Sequence, residues 1–150
     1  MYLTPELKAY YQKDFTENVL TCTDDFWKLD DNLRELLINI NKSQNVQTLY
    51  SRRMNSTQDT NKVSMLYVMY SVKTPIKIFK AFKKEIQKVP SFRGGYANKL
   101  NVDMDMSVNM GCMNNKNYFK HGVLMLTMKS EDLKEHELFW NIIGKHLPYF

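Results

Sequence analysis

Apolar positions recur at three- and four-residue steps through Leu7, Tyr10, Tyr11, Phe15 and Val19, which is one face of an α-helix of about four turns. Thr4 is placed to cap that helix, Pro5 fits its first position, and Glu6 sits well against the helix dipole. A second stripe, Phe26, Leu29, Leu33, Leu36, Leu37 and Ile40, predicts another helix, with Thr23 as cap and Asp24 and Asp25 in its first turn. There the pattern breaks. Residues 41–61 are rich in Asn, Ser, Thr and Gln. Only 46–50 is strand-like, and 51–61 is expected to be an exposed loop.

Residues 63–73 are β-branched and aromatic, apolar on both faces, and predict a central strand. Thr74 and Pro75 then open a helix, Thr74 as cap and Pro75 at the first position. Its Ile76, Phe79, Phe82, Ile86 and Val89 face the core until Pro90 stops it. Residues 91–96, built around Gly94 and Gly95, read as a turn or loop. Leu100, Val102, Met104, Met106, Val108 and Met110 alternate with polar residues, the pattern of a half-buried strand. Residues 118–129 supply its antiparallel hairpin partner after a polar connection. Ser130 is expected to cap a last helix that packs Leu133, Phe139, Trp140, Ile143 and Leu147 on the sheet. The class is α+β. One domain, 1–150, carries a helical N-terminal part (1–42) packed on a small antiparallel sheet within 62–150, with a basic helix and a C-terminal helix.

Composition excludes several classes. With 43% hydrophobic residues, five Gly and four Pro in 150, the chain is too apolar to stay disordered. No window approaches the roughly 18 apolar residues of a membrane span. Leu3 to Leu7 is followed by charges where a signal peptide has an apolar core, so the protein is expected not to be secreted. Cys22 and Cys112 stand alone, as idle thiols in a reducing cytosol would. No phosphate loop, nucleophile elbow or zinc spacing is present. His121, His136 and His146 read as ordinary surface or semi-buried histidines. Asp103 and Asp105, about 7 Å apart on one strand, read as a solvated face. The expectation is no enzyme, no cofactor, no metal and no small-molecule substrate.

Charge sharpens the picture. The formal net charge is +5, but it is unevenly placed. Residues 1–60 hold seven Lys/Arg against nine Asp/Glu, residues 61–100 nine against one, and residues 101–150 five against six. The net values are −2, +8 and −1. Concentrated on one helix, such charge builds a local positive potential. The binding candidates are Lys77, Lys80, Lys83, Lys84 and Lys88, with Arg93 and Lys99 nearby. Their partners would be an anionic membrane surface or a phosphate backbone contacted without regard to sequence.

The order of elements in 62–150 resembles the globular core of rhabdovirus matrix proteins. The residues that carry it are VSMLYVMYSVK running into TPIKIFKAFKKEI, then SFRGGY, then YFKHGVLMLTMKSEDLKEHELFWNIIGKHL with Trp140. The family's lysine-rich N-terminal arm and proline-tyrosine budding motif are missing. The resemblance implies a structural protein that self-associates as a homo-oligomer and bridges anionic membrane and viral nucleocapsid during assembly and budding. It would reside in the virion and host cytoplasm, at the inner face of host membranes. Two other readings stay open: a small sequence-independent RNA-binding viral protein, and an adaptor docking through Tyr10, Tyr11, Phe15 and Trp27.

Overall fold

The most apolar run of the chain becomes the middle of a sheet. The computed structural model describes residues 2–97 and 122–150. Four strands, β1 (Val46–Arg52), β2 (Val63–Tyr70), β3 (Phe92–Ala97) and β4 (Val123–Lys129), form an antiparallel sheet in the order β1-β2-β4-β3. Leu66, Val68 and Tyr70 are buried on one face of β2, and Tyr67 and Met69 on the other. A strand apolar on both faces is stable only where both are covered. β2 and β3 both run antiparallel to β4, so they share a direction and need a crossover.

Helix α3 (Ile76–Ile86) makes that crossover. It packs on one face of the sheet with α2 (Asp31–Asn41) and α4 (Leu133–His146), around Leu37, Phe79, Phe82, Leu126, Phe139 and Ile143. Each such side chain contributes about 1.5–3 kcal/mol on burial. On the opposite face lies α1 (Pro5–Asp14), which sets Leu7 and Tyr11 on Leu3, Tyr67, Met69, Val123 and Met125. The fold is α+β, with a helical N-terminus, a basic helix and a C-terminal helix, as the pattern predicts.

α1 also occupies the outer edge of β1. Lys8 is 5% exposed, and its Nζ donates to the carbonyls of Asn41 (2.7 Å) and Val46 (2.8 Å). The Asn41 side chain accepts the N–H of Thr48 at 2.9 Å and donates to its Oγ1 at 2.7 Å. Side chains thus take the place of a fifth strand. Past α1 the chain winds as a π-helix over Phe15–Val19, closed by Leu20 N–H to the Phe15 carbonyl at 2.9 Å. This turns Phe15, Val19 and Leu20 onto the opposite, larger cluster.

Several boundaries depart from the sequence pattern. Thr4 caps α1 as expected, accepting from Leu7 N–H at 3.2 Å, but Tyr10 is 68% exposed and Lys8 holds the buried position. The second helix begins not after Thr23 but at Asp31, where Asp30 accepts Leu33 N–H at 2.9 Å. Asp24 closes only a turn, accepting from Phe26 and Trp27 N–H. At α3 the cap is Pro75, not Thr74, and Ile76 is 46% exposed instead of buried. Residues 91–96 are not a loop: 92–97 form β3. Edge pairing with β4 accepts the two glycines, which lie opposite Leu126 and Met125. α4 is capped by Asp132, two residues later than Ser130, and Leu133 is only half-buried.

Both edges of β4 are taken, by β2 and β3. Among the described strands Val123–Lys129 pairs with β2 and β3, while the expected strand at 100–110 lies outside the described residues, as do Asp103, Asp105, Cys112 and His121. The expected exposed loop at 51–61 is also partly overturned. Ser51 and Arg52 belong to β1, and Met54 is 1% exposed. Arg52 grips Asp59 through two bonds of 2.9 and 2.7 Å, donates to the Val63 carbonyl at 2.7 Å, and lies 4.3 Å from the Phe26 ring centroid. Burial raises the Asp59 pKa, but the Arg52 hydrogen bond and the N–H groups of Asn61 and Lys62 outweigh it, leaving it lowered.

Candidate functional site

At 3.6 residues per turn, Phe79, Phe82 and Ile86 form one face of α3, and all three are buried. Lys77, Lys80 and Lys84 fall on the opposite face, and Lys88 continues their line in the turn after the helix. All four are exposed, and none has a hydrogen-bond or ion-pair partner among the described residues. From Lys77 to Lys88 the line spans roughly 16 Å at 1.5 Å per residue. Lys83 stands about 100° from Lys84; it is half-buried and engaged, so it borders the stripe without belonging to it.

The single carboxylate of this segment does not neutralise the stripe. Glu85 accepts from Lys145 Nζ at 2.9 Å, and His146 Nε2 lies 3.1 Å from its other oxygen. The Lys145 and His146 contacts hold its pKa at about 2, against an opposing push from desolvation. Lys62, at the start of the same segment, pairs with Glu131, whose pKa the pairing lowers.

Arg93 projects from the edge strand β3, exposed, with Nη1 donating to the Phe92 carbonyl at 2.8 Å. Lys99 lies outside the described residues. The structure thus gathers four of the expected cations on one face and sets Lys83 and Arg93 apart. It adds two that sequence reasoning missed. Lys73, exposed and with no side-chain partner among the described residues, stands just before α3, and Lys129 is exposed at the end of β4. Lys73 carries the same signal as its neighbours, a cation bordering the basic helix. The position of Lys129 depends on strand pairing, which spacing does not reveal.

A serine and a histidine do meet, deep inside. Ser64 Oγ lies 2.6 Å from His136 Nδ1, while His136 Nε2 lies 2.8 Å from the Ser130 carbonyl. The carbonyl can only accept, so Nε2 carries the proton and Ser64 donates to Nδ1. Ser64 also accepts from Trp140 Nε1 at 3.1 Å and from Met54 N–H at 3.1 Å. Its bonds are filled and it is 0% exposed, so the pair ties β2 to α4 and offers no nucleophile. His136 is therefore fully buried rather than semi-buried.

Among the described residues no group of three or more His, Cys, Asp or Glu could hold a metal ion, and no helix is long and apolar enough to cross a membrane. Cys22 is a free thiol. Of the aromatics considered for adaptor docking, Phe15 is buried in the core, while Tyr10 and Trp27 are exposed. Comparison of the chain with protein-family models, with curated proteins and with solved structures found no match.

Proposed function

We propose that this protein is a non-enzymatic RNA-binding protein that docks on the phosphate backbone, without sequence preference, through the lysine stripe of α3. The observation that carries this reading is the division of α3. Its apolar face is largely spent on the core, while Lys77, Lys80, Lys84 and Lys88 are exposed without partners among the described residues. A helix that inserts into a membrane needs a free apolar face, and of its large apolar residues α3 exposes only Ile76, in its first turn. Lysines in single file suit a chain of phosphates, where each contact releases counterions.

With four contacts, log K for single-stranded RNA should fall against log salt with a slope near −3, at about 0.7 per contact. The test is fluorescence anisotropy with two unrelated single-stranded RNAs. Wild-type protein should bind both alike, and the Lys77/Lys80/Lys84/Lys88→Glu variant should bind at least tenfold more weakly. Equal affinity of variant and wild type sinks the proposal.

One observation favours the matrix-type reading as an alternative. Val72 is 69% and Ile76 46% exposed, beside Lys73 and Lys77, a mixture that suits the headgroup region of an anionic membrane at about 1 kcal/mol per basic residue. Flotation with acidic vesicles separates the two. Binding to vesicles that Val72→Ser/Ile76→Ser abolishes, with no affinity for RNA, would establish the membrane role over the RNA role.

A further inference from the structure

A groove of about 380 Å³ opens where β3, β4 and the start of β2 meet, with Val63, Pro90, Ser91, Arg93, Thr127 and Lys129 among its walls. Register explains why these residues converge. Arg93 lies directly opposite Thr127, and Lys129 opposite Val63. Arg93 and Lys129 are therefore diagonal neighbours on one sheet face, roughly 7–8 Å apart at their backbones. Both are exposed, and Lys129 has no partner among the described residues. The Thr127 hydroxyl donates to the Arg93 carbonyl at 3.3 Å, which steadies the strand beneath them. Ser91 Oγ donates to Glu135 at 2.8 Å, which sets one carboxylate beside this wall.

Lys88, the last lysine of the α3 stripe, stands two residues before Pro90 at the groove wall. By strand alternation Arg93 and Lys129 share the sheet face of Val123 and Met125, opposite α3, so an RNA that touches both the stripe and the groove passes around the end of the sheet. We infer that this groove takes one nucleotide unit of the RNA that lies along α3. Arg93 and Lys129 hold its phosphates, while Val63 and Pro90 offer apolar contact to the sugar or base. The inference rests on the RNA reading of α3 and adds a second contact element to it. The volume lies within the range of small-ligand sites, and the wall supplies two cations able to share a phosphate and an apolar side.

The discriminating experiment titrates an unrelated single-stranded RNA against three proteins over a range of salt: wild type, Arg93→Ala/Lys129→Ala, and the α3 quadruple variant. Thermal melts verify that each is folded. The double variant should bind about tenfold more weakly, with a salt slope shallower by about 1.4, two contacts at about 0.7 each. In an isotope-labelled wild-type sample, the amides of Thr127 and Lys129 should shift on addition of the RNA. Wild-type affinity and slope in the double variant, beside a weakened α3 variant, would overturn the groove and leave the α3 reading intact. Undiminished binding by all three proteins overturns both.

Discussion

Lys8 is a cation held by carbonyls alone. It donates to Asn41 and Val46 and has no ion pair among the described residues, and burial lowers its pKa from 10.5 to about 8. Between those values the unfolded chain binds the proton and the folded chain releases it. Its penalty on folding is thus complete below about pH 8 and relieved as pH rises toward 10.5. Urea melts at pH 7.5 and 9.5 should show the wild type gaining stability, up to roughly 2 kcal/mol at 1.36 kcal/mol per unit, and Lys8→Met gaining none from this source. Half-buried Tyr2 and Tyr11 and buried Tyr67 have raised pKa values and add their own dependence only above pH 10. Nothing in the spacing of α1 singles out Lys8. Its neighbours there are Leu7 and Ala9, and its acceptors come from 33 and 38 residues away. Ser64 and His136 are hidden for the same reason, 72 residues apart.

Between elements, Glu85 clamps α3 to the end of α4 through Lys145 and His146. With its pKa depressed from 4.5 to about 2, its contribution to stability is complete above about pH 4.5 and lost as pH falls through about 2. Glu85→Gln should flatten that part of an acid titration followed by circular dichroism, leaving the curve above pH 5 parallel to wild type. Helix cores were legible from their stripes, because Leu33, Leu37, Ile40, Phe79, Phe82 and Phe139 repeat with the helical period. Starts were less so. Thr23 and Asp30 are both chemically fit to cap, and the choice fell to tertiary contacts. Phe26 and Trp27 stack edge-on at 4.8 Å, and Phe26 lies under Arg52, which draws 26–27 out of helical register. Gly94 and Gly95 signal a turn locally, and only pairing with β4 makes them strand.

For the molecule as a whole, the α+β class and the basic segment were legible, because composition and periodicity carry them. Strand order was not. β4 inserts between β2 and β3 and bonds to a strand 60 residues earlier, Val63 to Lys129 at its far end. No local pattern encodes that choice. The same holds for the groove, which exists only once Arg93, Lys129 and Val63 have been brought together from three strands.

The side chains that seal β1 have a last consequence. Without α1, the Val46 carbonyl loses its donor and the cluster around Tyr67 and Met125 loses its cover. A bare strand edge beside exposed apolar surface is a template on which another chain can add. Deletion of residues 1–20 should therefore turn a dispersed protein into one that joins strand to strand, seen as early elution in size exclusion and a thioflavin signal absent from the full chain. A species that stays at the full-length protein's association state would show that Asn41 alone suffices. On this account the first helix works as a plug, keeping the sheet finite.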